Sequence, residues 1–204
     1  NNTEQRPKPL VLIGNKSLLT MLIESYFHEA GFDKFYILIC DREECYTTWR
    51  NTEVTEYDIE IVNERARTGR TRALKHFMEY RKYKKEAQIA VANGDTLIKN
   101  LTRSIVQECY ELNKKVNKPA VLLLPLDKKR KDAKCVSENE HAYSHSGFMV
   151  VRSNWLEGIE KNKLDKDIDE HIFCTKNYSY VVLKGEMVDV GTPDRLNQFR
   201  KDVS

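Results

Sequence analysis

The sequence predicts a three-layer α/β fold, in which helices cover both faces of a mainly parallel, mixed central sheet. Two observations support this class. Short apolar runs alternate along the chain with segments of helical period, and several of these runs are apolar throughout, as in a sheet that is covered on both faces. The length of 204 residues, with 40% hydrophobic and 9% aromatic residues, predicts one folded domain over residues 1–204.

The elements of the first half follow one another in a regular order. Apolar residues between Leu18 and Ala30 recur every three or four positions, which predicts an amphipathic helix. Residues 34–40 and 58–62 are short runs rich in β-branched or aromatic residues and predict two strands. A helix that contains residues 73–78 and a strand over 89–92 come next.

The second half continues this alternation. A helix over residues 101–112 ends before Pro119, and the nearly all-apolar segment 120–124 predicts a buried strand. Two more strands are predicted over 147–151 and 178–183. Pro193, directly after Thr192 as N-cap, opens the last helix.

Charge and cysteine content exclude several classes of protein. The net charge is only +3 with 32% charged residues, whereas nucleic-acid-binding domains usually carry a concentrated basic face. No apolar run reaches the ~20 residues of a membrane-spanning helix, so we expect no nucleic-acid or membrane partner and a cytoplasmic location. The five cysteines have no CxxC spacing, which favours reduced thiols. The basic run 128–134 is interpreted as a solvated loop, with anion contact as the alternative.

A carboxylate directly follows the strand at 89–92. That strand runs into Asn93-Gly94-Asp95, so Asp95 should stand at the carboxyl end of the strand, where open α/β sheets bind ligands. Gly94 permits a close approach to the backbone. Since Mg²⁺ commonly takes one or two carboxylates plus substrate phosphates, Asp95 is a candidate ligand. The alternative is an ordinary turn, because Asn-Gly-Asp is also good turn chemistry.

A second carboxylate lies within an apolar strand. Asp189 stands between Val188 and Val190, so it should share their strand and point to the opposite face. A carboxylate among apolar residues is costly unless it is paired or bound to a metal. Asp189 is therefore a second candidate ligand, with a solvent-exposed face as the alternative.

Two segments offer positive charge or free backbone amides. Lys8 lies between two prolines, so its stiff backbone could hold a fixed charge against a phosphate; an exposed loop is the alternative. Gly69 precedes a predicted helix with Arg70 and Arg72, which predicts a corner that binds an anion or a base. The sequence contains no Walker A, GxGxxG or GxSxG pattern, which argues against P-loop enzymes, nicotinamide dehydrogenases and serine hydrolases.

These segments, in this order, resemble the sugar-phosphate nucleotidyltransferases, in the short form without a carboxy-terminal β-helix. Residues 6–10 (Arg-Pro-Lys-Pro-Leu) and 14–19 resemble that family's Pro-Lys-Pro-Leu segment and the helix start that follows it. Asn93-Gly94-Asp95 and the segment 188–193 resemble its two metal-binding aspartate motifs, and Ser-Gly-Phe at 146–148 resembles its acceptor-contacting strand. The family's opening strand and Gly-rich loop have no counterpart in residues 1–204.

The resemblance implies a Rossmann-like nucleotidyltransferase fold and a role for each matching residue. Lys8, Asp95 and Asp189 would be catalytic, with Mg²⁺ as the cofactor held by the two aspartates. The implied nucleotide-binding residues are Glu64, Gly69, Arg70, Asn93 and Gly94. His145 and Gly147 are the implied acceptor-binding residues, and His145 stands where the family has Asn.

The implied partners are a nucleoside triphosphate and a phosphorylated small molecule, namely a sugar 1-phosphate, which would be joined with release of pyrophosphate. Short members of the family often serve envelope or capsule pathways in bacteria. Two alternatives stay open: a cytidylyltransferase for a non-sugar phosphate such as phosphocholine, and a regulatory paralogue that binds triphosphate without turnover. The sequence does not decide the base, the acceptor, or whether the chain forms a homo-oligomer.

Overall fold

The structure is a computed structural model of the chain. It describes residues 6–64, 69–84, 86–126, 135–138, 141–160, 163–164, 166–189 and 192–202. For residues 135–138, 141, 189, 193 and 202 it describes the backbone only. The basic run 128–134, predicted as a solvated loop, lies outside the described residues.

The chain divides into two compact units. The first comprises Asn1–Arg67, Asn93–Arg103 and Glu186–Ser204, and the second comprises Thr68–Ala92 and Ser104–Gly185. Within the described residues, no helix combines the length and apolar character that a membrane span requires. The prediction of one domain over residues 1–204 stays a prediction.

In its described residues, the first unit contains a parallel strand pair, two short antiparallel pairs, three α-helices and a 3₁₀ turn. With elements numbered along the whole chain, these are a 3₁₀ turn at Lys8–Leu10, β1 (Leu12–Ile13), β2 (Lys16–Ser17), α1 (Leu18–His28), β3 (Lys34–Ile39), α2 (Glu43–Glu53), β4 (Asp58–Asn63), β6 (Thr96–Ile98), β11 (Met187–Asp189) and α7 (Pro193–Asp202).

The strands of the first unit form three separate pairs. β3 and β4 run parallel, from Lys34 opposite Asp58 to Ile39 opposite Asn63, and α2 is the crossover between them. β1 pairs with β2 through a two-residue turn, and β6 pairs with β11; both of these pairs are antiparallel. The helix α1 packs against the 3₁₀ turn, β2 and β6.

The helix α1 begins where the sequence places a good N-cap. The Ser17 side chain accepts a hydrogen bond from the Thr20 backbone N–H, which satisfies one of the free donors of the first turn. Leu18, Leu22 and Ile23 are almost fully buried on one face. Burial of each such side chain contributes about 1.5–3 kcal/mol, so packing rather than helix propensity holds this helix in place.

The second unit is built on one mixed sheet. Its elements are α3 (Arg70–Tyr80), β5 (Gln88–Ala92), α4 (Arg103–Val116, whose first residue belongs to the first unit), β7 (Ala120–Pro125), β8 (Cys135–Glu138), β9 (His141–Arg152), α5 (Ser153–Glu157), α6 (Ile168–Thr175) and β10 (Ser179–Val182).

The sheet has the order β10–β7–β9–β5, with β8 paired to β9. β10 and β7 run parallel, whereas β9 is antiparallel to β5, β7 and β8. The residues 120–124 of β7 and 148–151 of β9 are at most 4% exposed, because both faces of these strands are covered. The α/β class and the mixed sheet that the sequence predicts are confirmed. The expected parallel majority is wrong for the described strands, because β10–β7 and β3–β4 are parallel and the other five pairs are antiparallel.

Candidate functional site

The two candidate metal ligands lie at the same end of one strand pair in the first unit. In the β6–β11 ladder, Met187 pairs with Ile98 and Asp189 pairs with Thr96. Asp95 directly precedes Thr96 in the chain. Paired residues on antiparallel strands have Cα atoms about 4.5–5.5 Å apart, so the register brings the backbones of Asp95 and Asp189 together across 94 residues of sequence.

Asp95 lies in the turn that leads into β6. Its side chain is half-buried, and its Oδ1 is 3.4 Å from the Thr96 hydroxyl oxygen, which donates to it. No ion pair to Asp95 occurs in the described part of the chain. Both interpretations of Asn93-Gly94-Asp95 are therefore compatible with the fold, since a turn also presents the carboxylate.

The 3₁₀ turn that carries Lys8 packs on this same segment. An added Cβ at Gly94 would lie 3.5 Å from Pro9 Cγ, which is ordinary van der Waals contact. Lys8 itself is exposed and Leu10 is buried, so the turn is anchored by the leucine and presents the lysine to solvent. Lys8, Asp95 and Asp189 thus come from three distant parts of the sequence into one region of the first unit.

The donor chemistry at this end of the ladder fits a hard divalent cation. Two aspartates offer oxygen ligands, and Mg²⁺ commonly takes one or two carboxylates together with substrate phosphates. Among the side chains that the structure describes, which do not include that of Asp189, no three His, Cys, Asp or Glu residues form a metal-binding group.

The opposite end of the ladder carries an ion pair. Lys99 Nζ lies 3.0 Å from Glu186 Oε2, and both side chains are largely exposed. The Lys99 backbone N–H also donates to the Glu186 carbonyl at 2.9 Å. This end is therefore held by its own contacts, and it provides a natural comparison for the Asp95 end.

A shallow cavity of about 490 Å³ lies elsewhere in the first unit. The turn between β1 and β2, helix α1, Leu97 and Lys99 line it. Lys16 and Glu24 form an ion pair of 2.6 Å along its wall. None of the predicted site residues is part of this lining.

Glu64, a predicted nucleotide-binding residue, directly follows β4 in the first unit. Its backbone N–H donates to the Ile39 carbonyl at 2.8 Å, which completes the last pair of the β3–β4 register, Ile39 with Asn63. The side chain is half-buried. Glu64 therefore stands at the carboxyl end of a parallel strand pair, the position at which open α/β sheets bind ligands.

Gly69 and Arg70 begin α3 in the second unit. Gly69 is the N-cap with φ 82° and provides no side-chain cap to the first helical turn. The Arg70 guanidinium is not directed to solvent alone: it donates to Asp167 at 2.5 and 3.2 Å and to Asp169 at 2.7 Å. Burial works against the charge of Arg70, but the two carboxylates outweigh it and raise the pKa of the guanidinium.

The predicted acceptor segment contains a β-bulge. Along β7 the pairing advances from Val121 to Leu123, while along β9 it moves from Met149 to His145. Gly147, within the extra residues, has φ 79°, a left-handed conformation that glycine adopts without strain. Bulges of this kind re-aim neighbouring side chains and are common beside active sites.

His145, the other predicted acceptor residue, is buried. Its side chain is 3% exposed and its Nδ1 lies 3.7 Å from Asp169 Oδ1. Its ring also meets Phe173 edge-on, with centroids 5.0 Å apart. The structure thus places His145 against α6, and any direct contact with an acceptor stays a prediction.

Sequence reasoning missed Asp167 and Asp169, which lie beside Arg70 and His145. A signal for them exists, because Asp167-Ile168-Asp169-Glu170 has the spacing of a helix N-terminal capping box. In the structure Asp167 is the N-cap of α6, and its side chain accepts from the Asp169 backbone N–H. The pairing of these carboxylates with Arg70 carries no sequence signal, since almost 100 residues separate them.

Comparison with known proteins agrees with this architecture. The family model described as Nucleotidyl transferase matches residues 3–133, which is well over half of the chain. A comparison with curated proteins finds no match.

Similar solved structures cover nearly the whole chain at low sequence identity. HddC from Yersinia pseudotuberculosis is 17% identical with a TM-score of 0.77 over 98% of this chain and 91% of that chain, and it has also been solved in complex with GMP-PN. A putative glucose-1-phosphate thymidylyltransferase from Bacillus anthracis is 15% identical with a TM-score of 0.72, over 99% and 89%. An apo UDP-glucose pyrophosphorylase is 13% identical with a TM-score of 0.72, over 98% and 91%.

These structures share the fold, and the family model shows the relationship at the level of sequence. The predicted Rossmann-like nucleotidyltransferase fold and the predicted enzyme class are confirmed. The chain belongs to the nucleotidyl transferase family.

Proposed function

We propose that this enzyme joins a nucleoside triphosphate to a sugar 1-phosphate in the presence of Mg²⁺, which yields a nucleoside diphosphate sugar and pyrophosphate. One observation carries this proposal: the β6–β11 register, which pairs Asp189 with the residue next to Asp95. Two carboxylates with one neighbouring lysine are the groups that such a transfer needs at the triphosphate.

The sugar phosphate is proposed on the basis of the similar structures. Two of them are described as a putative glucose-1-phosphate thymidylyltransferase and a UDP-glucose pyrophosphorylase. The complex of another with GMP-PN supports a nucleotide as the second substrate. Since these proteins are less than 20% identical to this chain, they do not assign the base or the sugar.

In the proposed reaction, a phosphate oxygen of the acceptor attacks the α-phosphorus of the triphosphate. A new P–O bond forms, the bond from the α-phosphorus to the bridging oxygen breaks, and pyrophosphate leaves with that electron pair. No covalent enzyme intermediate is needed, so catalysis is mainly positioning and neutralisation of charge. Bound Mg²⁺ would supply positive charge and fixed coordination for the phosphate oxygens.

Each residue has a proposed part in this reaction. Asp95 and Asp189 would hold the cation at the end of the β6–β11 ladder, and Lys8 would add a positive charge near them. Asn93 and Gly94 offer amide and backbone groups to the nucleotide. Glu64, Gly69 and Arg70 are proposed nucleotide-binding residues as well. His145 and Gly147 shape the strand that faces the acceptor.

Pyrophosphate release tests this function. The purified protein is incubated with each of the four triphosphates and with glucose 1-phosphate, mannose 1-phosphate or phosphocholine, with Mg²⁺ and then with EDTA. We expect Mg²⁺-dependent pyrophosphate release with at least one sugar phosphate. Pyrophosphate release with CTP and phosphocholine only would show that the acceptor is a non-sugar phosphate. Triphosphate binding without pyrophosphate release would indicate a regulatory relative.

Matched variants at the two ends of the ladder test the metal ligands. Asp95→Asn and Asp189→Asn should each lower kcat/KM by about 100-fold or more, because loss of a metal ligand removes several kcal/mol of charge stabilisation. Glu186→Gln neutralises a carboxylate at the other end of the same ladder and should change kcat/KM less than about twofold, because exposed ion pairs contribute ~0–1 kcal/mol. Equal effects of all three variants would refute the assignment.

A further inference from the structure

Four charged or titratable side chains of the second unit meet between α3, α6 and β9. We call Arg70, Asp167, Asp169 and His145 the α6 cluster. Arg70 begins α3, the two aspartates stand at the start of α6, and His145 lies on β9. The three elements are far apart in the sequence, so only the fold brings these side chains together.

The two aspartates of the α6 cluster have different environments. Asp167 is 36% exposed, contacts Arg70 and caps α6. Asp169 is only 5% exposed and contacts two elements with its two oxygens. Its Oδ2 accepts from Arg70 Nη2 at 2.7 Å, and its Oδ1 lies 3.7 Å from His145 Nδ1.

A buried carboxylate needs partners for its charge. Removal of a charge from water costs several kcal/mol, and this cost is offset only where opposite charges or hydrogen bonds stabilise the buried group. If Arg70 shifts, the field at Asp169 changes, and His145 responds because it faces the other oxygen of the same carboxylate. Asp167 transmits no such response, since no contact joins it to His145 within the described residues.

Packing holds this connection rigid on both sides. Thr71, next to Arg70 and fully buried, donates its hydroxyl hydrogen to the Lys166 carbonyl at 2.7 Å. On the other side the His145 ring meets Phe173, and Phe173 meets Tyr178, both edge-on. Neither α3 nor β9 can therefore move against α6 without breaking buried contacts.

We propose that Asp169 is a positioning residue that couples the Gly69–Arg70 segment to the β9 strand, so that occupation of the nucleotide segment changes the electric field at the His145 ring and with it the affinity of the β9 segment for the acceptor. This inference rests on the proposed function, because it takes Gly69 and Arg70 as nucleotide-binding and the β9 segment with His145 and Gly147 as the strand that faces the acceptor. Coupling of this kind is reciprocal: the acceptor must change the affinity for nucleotide by the same factor.

The coupling is tested by observing His145 directly. Protein labelled with ¹⁵N-histidine is titrated with whichever of the four triphosphates, with Mg²⁺, binds most tightly in calorimetry, without acceptor. His145→Gln assigns the His145 signals. We expect these signals to shift on triphosphate binding in the wild type and in Asp167→Asn. In Asp169→Asn they should not shift, and calorimetry should show that this variant still binds the triphosphate.

Kinetics with the best acceptor from the sugar-phosphate panel add a second readout. At saturating triphosphate, Asp169→Asn should raise the acceptor KM on the order of tenfold, which is within the usual range of coupling between sites. Asp167→Asn, the matched control, should raise it less than about twofold. If Asp169→Asn does not fold, as judged by circular dichroism, Asp169→Glu replaces it, because the longer side chain keeps the charge but cannot place its two oxygens where those of Asp169 face Arg70 and His145.

The outcomes separate this inference from the function on which it rests. If triphosphate binds and pyrophosphate is released, but His145 does not respond in the wild type or Asp169→Asn behaves like Asp167→Asn, the coupling is wrong and the function stands. If no triphosphate binds to the wild type, both are wrong.

Discussion

The hydroxyl of Thr20 joins three partners in the first unit, and Thr20→Val removes it at nearly constant shape. Thr20 is 2% exposed. Its Oγ1 lies 2.8 Å from Glu53 Oε2, 2.9 Å from Trp49 Nε1 and 2.8 Å from Ser17 Oγ. A hydroxyl has one donor and two acceptor positions, so Thr20 donates to the carboxylate and accepts from the indole and from the serine.

The expected loss of stability follows from these contacts. Each hydrogen bond contributes about 1 kcal/mol, more where one partner is charged, and a buried donor left unsatisfied costs about 1–3 kcal/mol. Valine removes three bonds and leaves the buried indole N–H of Trp49 without its acceptor. We therefore expect Thr20→Val to lower the free energy of unfolding by about 4 kcal/mol.

Thr20→Ser is the matched control, because it keeps the hydroxyl and removes only a methyl group. That change should cost about 1 kcal/mol. The sequence contains two tryptophans, so the fluorescence of Trp49 in a Trp155→Phe background reports urea unfolding of the first unit. We expect the hydrogen bonds of Thr20 to outweigh the apolar burial that valine gains. A Thr20→Val variant with an unfolding free energy equal to or above that of Thr20→Ser, and with the same slope in urea, would contradict this.

Three further predictions concern single residues. Gly147→Ala should lower the unfolding free energy by about 1–2 kcal/mol, because φ 79° is unfavourable with a Cβ; an unchanged melting temperature would contradict this. Burial raises the pKa of the Cys109 thiol to about 12, so iodoacetamide at pH 8 should modify exposed Cys174 and spare Cys109, as mass spectrometry of the peptides can show. Gly31→Ala should destabilise the protein by more than Gly14→Ala, as chemical denaturation of the two variants can show. Both glycines have positive φ, but of the two only Gly31 has a side chain in the way: an added Cβ would lie 2.6 Å from Arg103 Nε.

The sequence predicts a strand well where the strand is buried on both faces and its residues form an uninterrupted apolar run. The segment 120–124 is apolar at every position and forms β7, and 34–40 and 58–62 form β3 and β4 within one residue of the predicted ends. The helix α7 begins at Pro193 as predicted, with the Arg195 N–H 3.4 Å from the Thr192 hydroxyl oxygen. These elements can be predicted because the residues within each of them carry the signal.

Other elements could not be predicted because tertiary contacts form them. The helix α2 is almost wholly polar and buries only Tyr46 and Trp49, so its periodicity is too weak to recognise. β6 has three residues, and its pairing with β11 depends on a register between segments about 90 residues apart. The candidate metal ligands are visible in the sequence one at a time, whereas their proximity is a property of that register.

The charged residues of the second unit show the same limit. Arg70 is recognisable in the sequence as a positive charge at a helix start, which suggests a ligand. In the structure its guanidinium binds Asp167 and Asp169, so much of its charge is already balanced. Likewise His145 matches the position of an acceptor residue, but its burial against α6 follows from the bulge at Gly147 and from the aromatic packing of Phe173.

The proposed function depends on Asp95 and Asp189 binding one cation together. The most direct measurement is the anomalous diffraction of a crystal of the protein soaked with Mn²⁺ and the triphosphate that it binds. We expect a single strong peak within about 2.5 Å of a carboxylate oxygen of each aspartate, a metal–oxygen distance typical of hard cations. A peak bound by only one of them, or by neither, would contradict it.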